Sequence, residues 1–422
     1  VKEKLAIIGT GISGLGAAYF LSKEYDLTIY EKADYIGGHT NTVDVIDDGR
    51  SFPVDTGFIV FNHVTYPNLL RLFSTLGVPT KKSDMSFSVQ HAPTKLEFCG
   101  SGLNGLFAQR FNFFKPRYIK MLFEINRFNE NAPKILEDPR YDDYDLGRYM
   151  KEEGYGEDVL NNYLIPMSSA VWSTPPDLML SFPAKTLVRF FYNHGFLGLS
   201  TQHQWWTVDG GSREYVKRII RNFKDRIQLN QGVKSVTREV SKVRVTLENG
   251  SSEIFDKVLL ATHGPTSAKL LTNPTDLEKE LLPLYKYQKN TATLHTDDSD
   301  MPKKKFIWSS WNYKIVEDKD GNKQPFTIYW MNKLQGISKT KNFFVTINDP
   351  GRIKKDHIIK EIDYEHPLFS VEASLRQEKL SRLNEDGPIY YAGAYFRYGF
   401  HEDGFLSAVN VAQAILKRDP WT

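Results

Sequence analysis

The feature that most constrains this chain is a strand–turn–helix–strand unit over residues 5–38. The apolar run Leu5-Ala6-Ile7-Ile8 leads into Gly9-Thr10-Gly11-Ile12-Ser13-Gly14, and a helical pattern follows through Leu15, Ala17, Ala18, Phe20 and Leu21. A second strand, Leu27-Thr28-Ile29-Tyr30, ends at Glu31. In such a unit the first glycine permits a tight turn, the second lets the backbone approach a pyrophosphate, and the third lets helix pack closely on strand. The helix N-terminus offers free N–H groups and a positive dipole end to the phosphates. Glu31 is placed to accept ribose hydroxyl hydrogen bonds. An acid there argues against a 2′-phosphate, and so against NADP. The spacing predicts a dinucleotide site on an α/β sheet.

Immediately after Glu31 comes Lys32-Ala33-Asp34-Tyr35-Ile36-Gly37-Gly38-His39-Thr40. Acid, short linker and paired glycines in that order resemble the flavin amine oxidase superfamily. Further segments carry the same resemblance: Asp55-Thr56-Gly57-Phe58, Val208-Asp209-Gly210-Gly211-Ser212, and Ile389-Tyr390-Tyr391-Ala392-Gly393-Ala394 with the stretch His401 to Ala408. The resemblance implies FAD, with contacts from Gly9, Gly11, Ile12, Ser13, Gly14, Glu31, Lys32, Gly38, His39, Thr40, Gly57, Phe58, Val233, Gly393, Ala394, Gly404 and Phe405. By that resemblance Val233 presents backbone groups to the adenine. The 401–408 helix start points at the flavin C2 carbonyl, where its dipole favours negative charge on the reduced ring. It further implies a Rossmann-type FAD-binding domain, discontinuous and amine oxidase-like, over 1–75, 205–263 and 385–422. Residues 76–204 and 264–384 are then expected to form an α+β substrate-binding domain.

Composition narrows the rest. A chain of 422 residues, 41% hydrophobic and 25% charged, has ample core for two or more domains. The single cysteine, Cys99, excludes an internal disulfide framework and suits a reducing compartment. It lies far from the C-terminal region where some amine oxidases attach flavin through cysteine. His39 is left as a histidyl attachment point or, alternatively, as a phosphate-side histidine. The net charge of +3 and the lack of any nucleic-acid motif give no expectation of nucleic acid. Neither a CxxC pair nor a metal-spaced Cys/His cluster occurs, so no metal is expected. The chain has no second GxGxxG for a pyridine nucleotide. It enters its first strand without an apolar leader, and no run reaches the length of a membrane span. The expectation is a cytoplasmic protein, soluble or peripheral at the inner membrane face.

The stretch from Gly105 to Phe128 reads as mostly helical and mixes Phe111, Phe113, Phe114, Tyr118, Met121 and Phe123 with Arg110, Lys115, Arg117 and Lys120. Such a segment either buries its rings at a lipid headgroup boundary or packs them on its own domain. The stretch from Leu187 to Leu199 repeats the theme with Arg189, Phe190, Phe191, Tyr192 and Phe196.

A more specific resemblance comes from the second insertion. Thr293-Leu294-His295-Thr296-Asp297, Met301-Pro302, Trp308-Ser309-Ser310-Trp311-Asn312-Tyr313 and Tyr329-Trp330-Met331-Asn332 resemble a bacterial family of predicted FAD-binding, amine-oxidase-like oxidoreductases. Thr65-Tyr66-Pro67-Asn68-Leu69, Ile165-Pro166-Met167, Val171-Trp172-Ser173, His366-Pro367 and Tyr398 to Gly404 belong to the same pattern. That family resembles flavoproteins acting on fatty acyl chains, including desaturation on the way to furan fatty acids, and more distantly the fatty acid isomerases. The resemblance implies a lipid or fatty-acyl substrate from which a hydride is taken, as in a desaturase. An apolar tunnel would then be needed, with Trp172, Trp311, Tyr329 and Trp330 as candidate lining. Tyr398 and His401 are candidate catalytic groups, with Glu402 and His295 behind them. Double-bond isomerisation, amine oxidation and a non-catalytic flavin-binding partner subunit are the alternatives, and the electron acceptor is left open.

Overall fold

Alternate residues of the first strand feed two different cores. Leu5 and Ile7 pack into one hydrophobic cluster, and Ala6 and Ile8 into another. That is the period of a strand covered on both faces. The computed structural model describes residues 2–198 and 201–422. In it, five parallel strands lie in the order Ile227–Gln228, Asp26–Tyr30, Lys4–Ile8, Lys257–Leu260 and Ile389–Tyr391. Residues from both ends and from the middle of the chain therefore meet in one sheet. This is the Rossmann-type α/β architecture expected from the first 38 residues.

Two helices close one face of that sheet. Ile12–Leu21 follows the glycine turn, and His401–Leu416 lies against it. Small residues set their separation: a Cβ added at Gly16 would stand 2.8 Å from the Phe405 ring and 2.9 Å from the Ala408 methyl. A Cβ at Gly14 would stand 2.0 Å from the Gly9 carbonyl oxygen, so only glycine lets this helix start so close to the strand it leaves. The opposite face carries the antiparallel meander Val233–Arg238, Val243–Leu247 and Ser252–Phe255. Val236, Val245 and Phe255 join Ala6, Val258 and Tyr391 in the core beneath it.

A second, seven-stranded sheet has the order Ile358–Pro367, Tyr287–His295, Phe344–Ile347, Lys323–Trp330, Trp311–Glu317, Phe87–His91 and Leu96–Cys99. Its pairings are antiparallel except for Trp311–Glu317 against Phe87–His91. Residues 102–193 are mainly helical, as their composition predicted, and include Pro116–Asn131, Ile165–Trp172 and Ala184–Asn193. No helix among the described residues is long and apolar enough to cross a membrane.

The two basic aromatic segments part ways here. In Ala184–Asn193 and the turn beyond it, Phe190, Phe191 and Phe196 are buried, and only Tyr192 of the aromatics is exposed. This stretch packs inward, and Leu199 at its end lies outside the described residues. In the earlier segment Tyr118, Met121 and Phe128 are buried while Phe111, Phe113, Phe114 and Phe123 face outward.

Candidate functional site

A cavity of about 460 Å³ runs from the glycine turn of the parallel sheet to the seven-stranded sheet. Its polar end is built by local backbone geometry. Gly9, Thr10, Gly11, Ile12 and Ser13 line it, and nothing lies within 4 Å of where a Gly11 Cβ would stand. The first turn of Ile12–Leu21 carries no acid and no side-chain cap, leaving its N–H groups to face an anion. Gly38, held at φ 58°, approaches so closely that its Cβ would stand 3.1 Å from the Gly11 Cα. Glu31 accepts from the Thr10 N–H at 2.9 Å, the Thr10 hydroxyl at 2.6 Å and the Ala33 N–H at 2.9 Å. These bonds orient the carboxylate along the cavity wall, and two oxygens with about four acceptor sites leave room for one further donor such as a ribose hydroxyl. His39 lines the same wall with its Nε2 buried and unpartnered. A pocket with free helix-start donors, an oriented carboxylate and an orphaned imidazole nitrogen fits a dinucleotide.

Next along the cavity come Gly57 and Phe58. Their approach is set by Asp55, which is fully buried and accepts from the Ser212 N–H at 2.9 Å, the Ser212 hydroxyl at 2.7 Å, the Thr42 hydroxyl at 2.6 Å and the Gln335 amide at 2.7 Å. Burial pushes this carboxyl up to about 6 despite those donors. One side chain thus ties the strand end at Asp55 to the returning Gly210-Gly211 turn. Phe58 stacks on His401, with ring centroids 3.8 Å apart and planes 8° from parallel. The His401 Nε2 lies 2.7 Å from the Tyr215 hydroxyl, and burial pushes its pKa down to about 3. The imidazole is therefore neutral and a poor proton acceptor at neutral pH.

Beyond Phe58 the wall turns apolar. Val60, Met85, Val171, Trp172, Phe190, Phe196, Trp205, Trp311, Tyr329 and Phe400 converge there from separate elements. Among the described residues that line the cavity, the acidic side chains are Glu31 and Glu365. Glu365 accepts from or pairs with His263 Nδ1 at 2.9 Å, which holds the carboxyl below its ordinary range. His263 stacks on Tyr287 at 3.8 Å, and both rings line the cavity. His366, kept neutral by burial at about 4, lies edge-on to His39 at 5.3 Å.

The expected site residues divide cleanly. Gly9, Gly11, Ile12, Ser13, Glu31, Gly38, His39, Gly57, Phe58, Gly393, Ala394 and His401 line the cavity, as do Trp172, Trp311 and Tyr329. Others stand off its wall. Gly14 is spent on helix–strand contact, and Gly404 on the helix crossing, where its carbonyl accepts from the Ser13 hydroxyl at 2.9 Å. Phe405 is fully buried between the two helices. Thr40 sits behind the wall against Tyr215. Lys32 points outward to Glu248 at 2.8 Å, and Val233 opens the meander opposite Leu247. Tyr398 contributes its carbonyl, which accepts from Trp172 Nε1 at 3.3 Å, while its ring stands off the wall. Trp330 faces away because successive strand residues alternate sides: Tyr329 enters the cavity and Trp330 packs edge-on against Trp308. Glu402 joins two helices instead of facing the cavity, accepting from the Asn68 and Leu69 N–H groups at 3.1 and 2.9 Å. His295 is buried in the seven-stranded sheet against Thr346.

Sequence reasoning missed Met85, Phe190, Phe196, Trp205, Phe400 and the His263–Glu365 pair as wall residues. The His366-Pro367 motif was the nearest signal to the last of these, and the others carry no local mark.

Residues 12–309 match the family model described as flavin containing amine oxidoreductase. Probable polyamine oxidase 4 of Arabidopsis thaliana is 26% identical over 279 residues, covering 62% of this chain and 50% of that protein. Coproporphyrinogen III oxidase of Bacillus subtilis (strain 168) is 23% identical over 316 residues, covering 64% of this chain and 62% of that one. The aligned regions thus span between half and two thirds of these curated relatives. Among solved structures, the CLA-producing fatty acid isomerase from P. acnes superposes with a TM-score of 0.66 at 15% identity, over 96% of this chain and 97% of the other, a likeness of fold.

Proposed function

As this chain belongs to the flavin containing amine oxidoreductase family, we propose that it binds FAD and removes a hydride from a lipid acyl chain, leaving a carbon–carbon double bond. Gly9, Gly11, Ile12, Ser13 and Gly38 would hold the pyrophosphate, Glu31 the ribose, and Gly57, Phe58, Gly393, Ala394 and His401 the flavin end. Bound oxidised flavin supplies the two-electron acceptor for the hydride, and the second hydrogen leaves as a proton to a base or to water.

The observation that carries the substrate class is the apolar wall. Its aromatic and aliphatic side chains can exclude water and hold a hydrocarbon chain in one orientation. A polyamine carries several charges and would favour carboxylates along the wall, since burying an unpaired ammonium is costly. Among the described residues that line the cavity, the only carboxylates are Glu31 at the ribose end and Glu365, already engaged by His263. His263 and Glu365 are the pair best placed to pass a proton between the cavity and solvent, since both are part-exposed and both line the cavity. His401 serves a different purpose, giving Phe58 a flat neutral partner and fixing its plane.

The test is anaerobic mixing of the flavin-loaded protein with liposomes carrying unsaturated, methyl-branched acyl chains, following the blue flavin band. Bleaching that reverses on adding a quinone, with a new double bond in the lipid, is the expected result. Bleaching by putrescine or spermidine but not by lipid would replace this reading with amine oxidation. An unbleached band with migrated double bonds would replace it with isomerisation.

A further inference from the structure

The aromatic residues of 103–123 form a surface that the enclosed cavity does not use. Phe111 is 81% exposed, Phe114 84% and Phe123 73%, with Leu103 and Phe113 also exposed. Such a concentration of large apolar side chains exceeds what a soluble surface ordinarily shows by chance. The exposure is not that of a loose loop. The turn Arg110–Phe114 is pinned by the buried Asn112, by Gln109, which donates to the Lys95 carbonyl at 2.7 Å and accepts from the Glu97 N–H at 3.2 Å, and by Tyr118, which donates to the Leu106 carbonyl at 2.6 Å. The fold holds these phenylalanines outward on a fixed frame.

Cations surround them. Arg110, Lys115 and Lys120 have no ion pair among the described residues, and Arg117 is neutralised by Asp158 at 2.5 Å. A second segment adds to the same face. Lys304 donates to the Ala108 carbonyl, and Ile307 packs with Ala108 and Cys99. That seats Lys303, Lys304, Lys305 and Phe306, itself 55% exposed, beside the 107–114 turn. Glu124 is the one carboxylate in the shallow groove between Phe113, Phe114, Ile119 and Phe123.

We propose that this face docks the protein on an anionic phospholipid bilayer, with Phe111, Phe114, Phe123 and Phe306 entering the headgroup boundary and the free lysines and Arg110 meeting lipid phosphates. Rings flanked by cations are the composition that interfacial binding requires. A second copy of this chain is a poorer occupant, because a two-fold pairing would bring the same positively charged face against itself. The inference concerns where the protein sits and stands apart from the reaction assigned to its cavity.

The test is flotation of the flavin-loaded full chain with vesicles of phosphatidylcholine alone or with one third phosphatidylglycerol, without any turnover. Binding to the anionic vesicles, weakened by salt, is expected. The variant Lys115→Glu/Lys303→Glu/Lys305→Glu should lose roughly hundredfold in affinity, from about one kilocalorie per basic residue near the surface. The variant Phe111→Ser/Phe114→Ser should lose roughly tenfold while keeping its melting temperature and flavin content. Wild-type protein that fails to bind anionic vesicles at low salt would overturn the proposal. Equal binding by wild type and both variants would also overturn it, as would concentration-dependent dimerisation abolished by the Phe111→Ser/Phe114→Ser change.

Discussion

Two helices of 16 residues, Pro116–Asn131 and His401–Leu416, show opposite uses of the same length of chain. The first buries Tyr118, Met121 and Phe128 and leaves Phe123 in solvent. The second buries most of its length, including Glu402 and Asp403, and presents Gly404, Ser407 and Ala408 to the glycine-turn helix. Small residues let backbones approach and hold a cofactor-binding turn in place. Large residues left outside contribute little to this chain's own core. Aromatic content alone does not separate the cases, because Phe190 and Phe191 of Ala184–Asn193 are as aromatic and wholly inward.

The contrast can be broken most forcefully at the buried helix. A Cβ at Gly404 would stand 2.8 Å from the Ile12 methyl and 3.1 Å from the Ser13 hydroxyl. Gly404→Val adds two further methyl groups there and should cost about 3 kcal/mol through overpacking. It should also displace the first turn of Ile12–Leu21, so flavin retention after gel filtration should fall together with the melting temperature. Normal stability and flavin content would mean that the crossing is not held as described.

Acidification sharpens the comparison by titrating the buried side. Asp403, raised to about 7, and Asp55, raised to about 6, contribute stability that is complete below about 4 and is lost as pH rises through those values. His401 at about 3, and His194, His295 and His366 at about 4, contribute stability present above about 6.5 and lost as pH falls through the histidine range. With His39 and His91, which burial also lowers, six histidines oppose the three raised carboxyls Asp55, Asp403 and Glu402 between pH 6.5 and 5, so the histidines win. Urea unfolding should show lower stability at pH 5 than at pH 7, by about 1.4 kcal/mol per pH unit for each histidine not offset. Greater stability at pH 5 would show that the carboxyls dominate.

The smallest effect belongs to the exposed side. Phe114→Ser should change folding stability by no more than about 0.5 kcal/mol, since the ring contributes little to the core. A loss several times larger in thermal unfolding would mean that the ring is covered by its own domain, and the contrast between the two helices would collapse.

The nucleotide end was legible because its requirements are local. Gly9, Gly11, Gly14 and Glu31 act within one strand–turn–helix–strand unit, and only glycine tolerates the approaches at Gly14 and Gly38. The paired-glycine resemblance extended that reading to Gly57, Phe58, Gly393 and His401, which line the same cavity. Trp172, Trp311 and Tyr329 were found by residue type, but type could not distinguish Tyr329 from Trp330. Strand register decided that, one residue apart.

Sequence alone thus determined the parallel α/β sheet, the place of the glycine turn and the family, because backbone sterics and spacing operate over a few tens of residues. The apolar wall, the His263–Glu365 pair and the outward phenylalanines were decided by tertiary structure. Val60, Met85, Trp172, Phe190, Trp205 and Phe400 become neighbours only when distant segments pack, and the free energy of burying an aromatic ring depends on what the rest of the chain leaves uncovered.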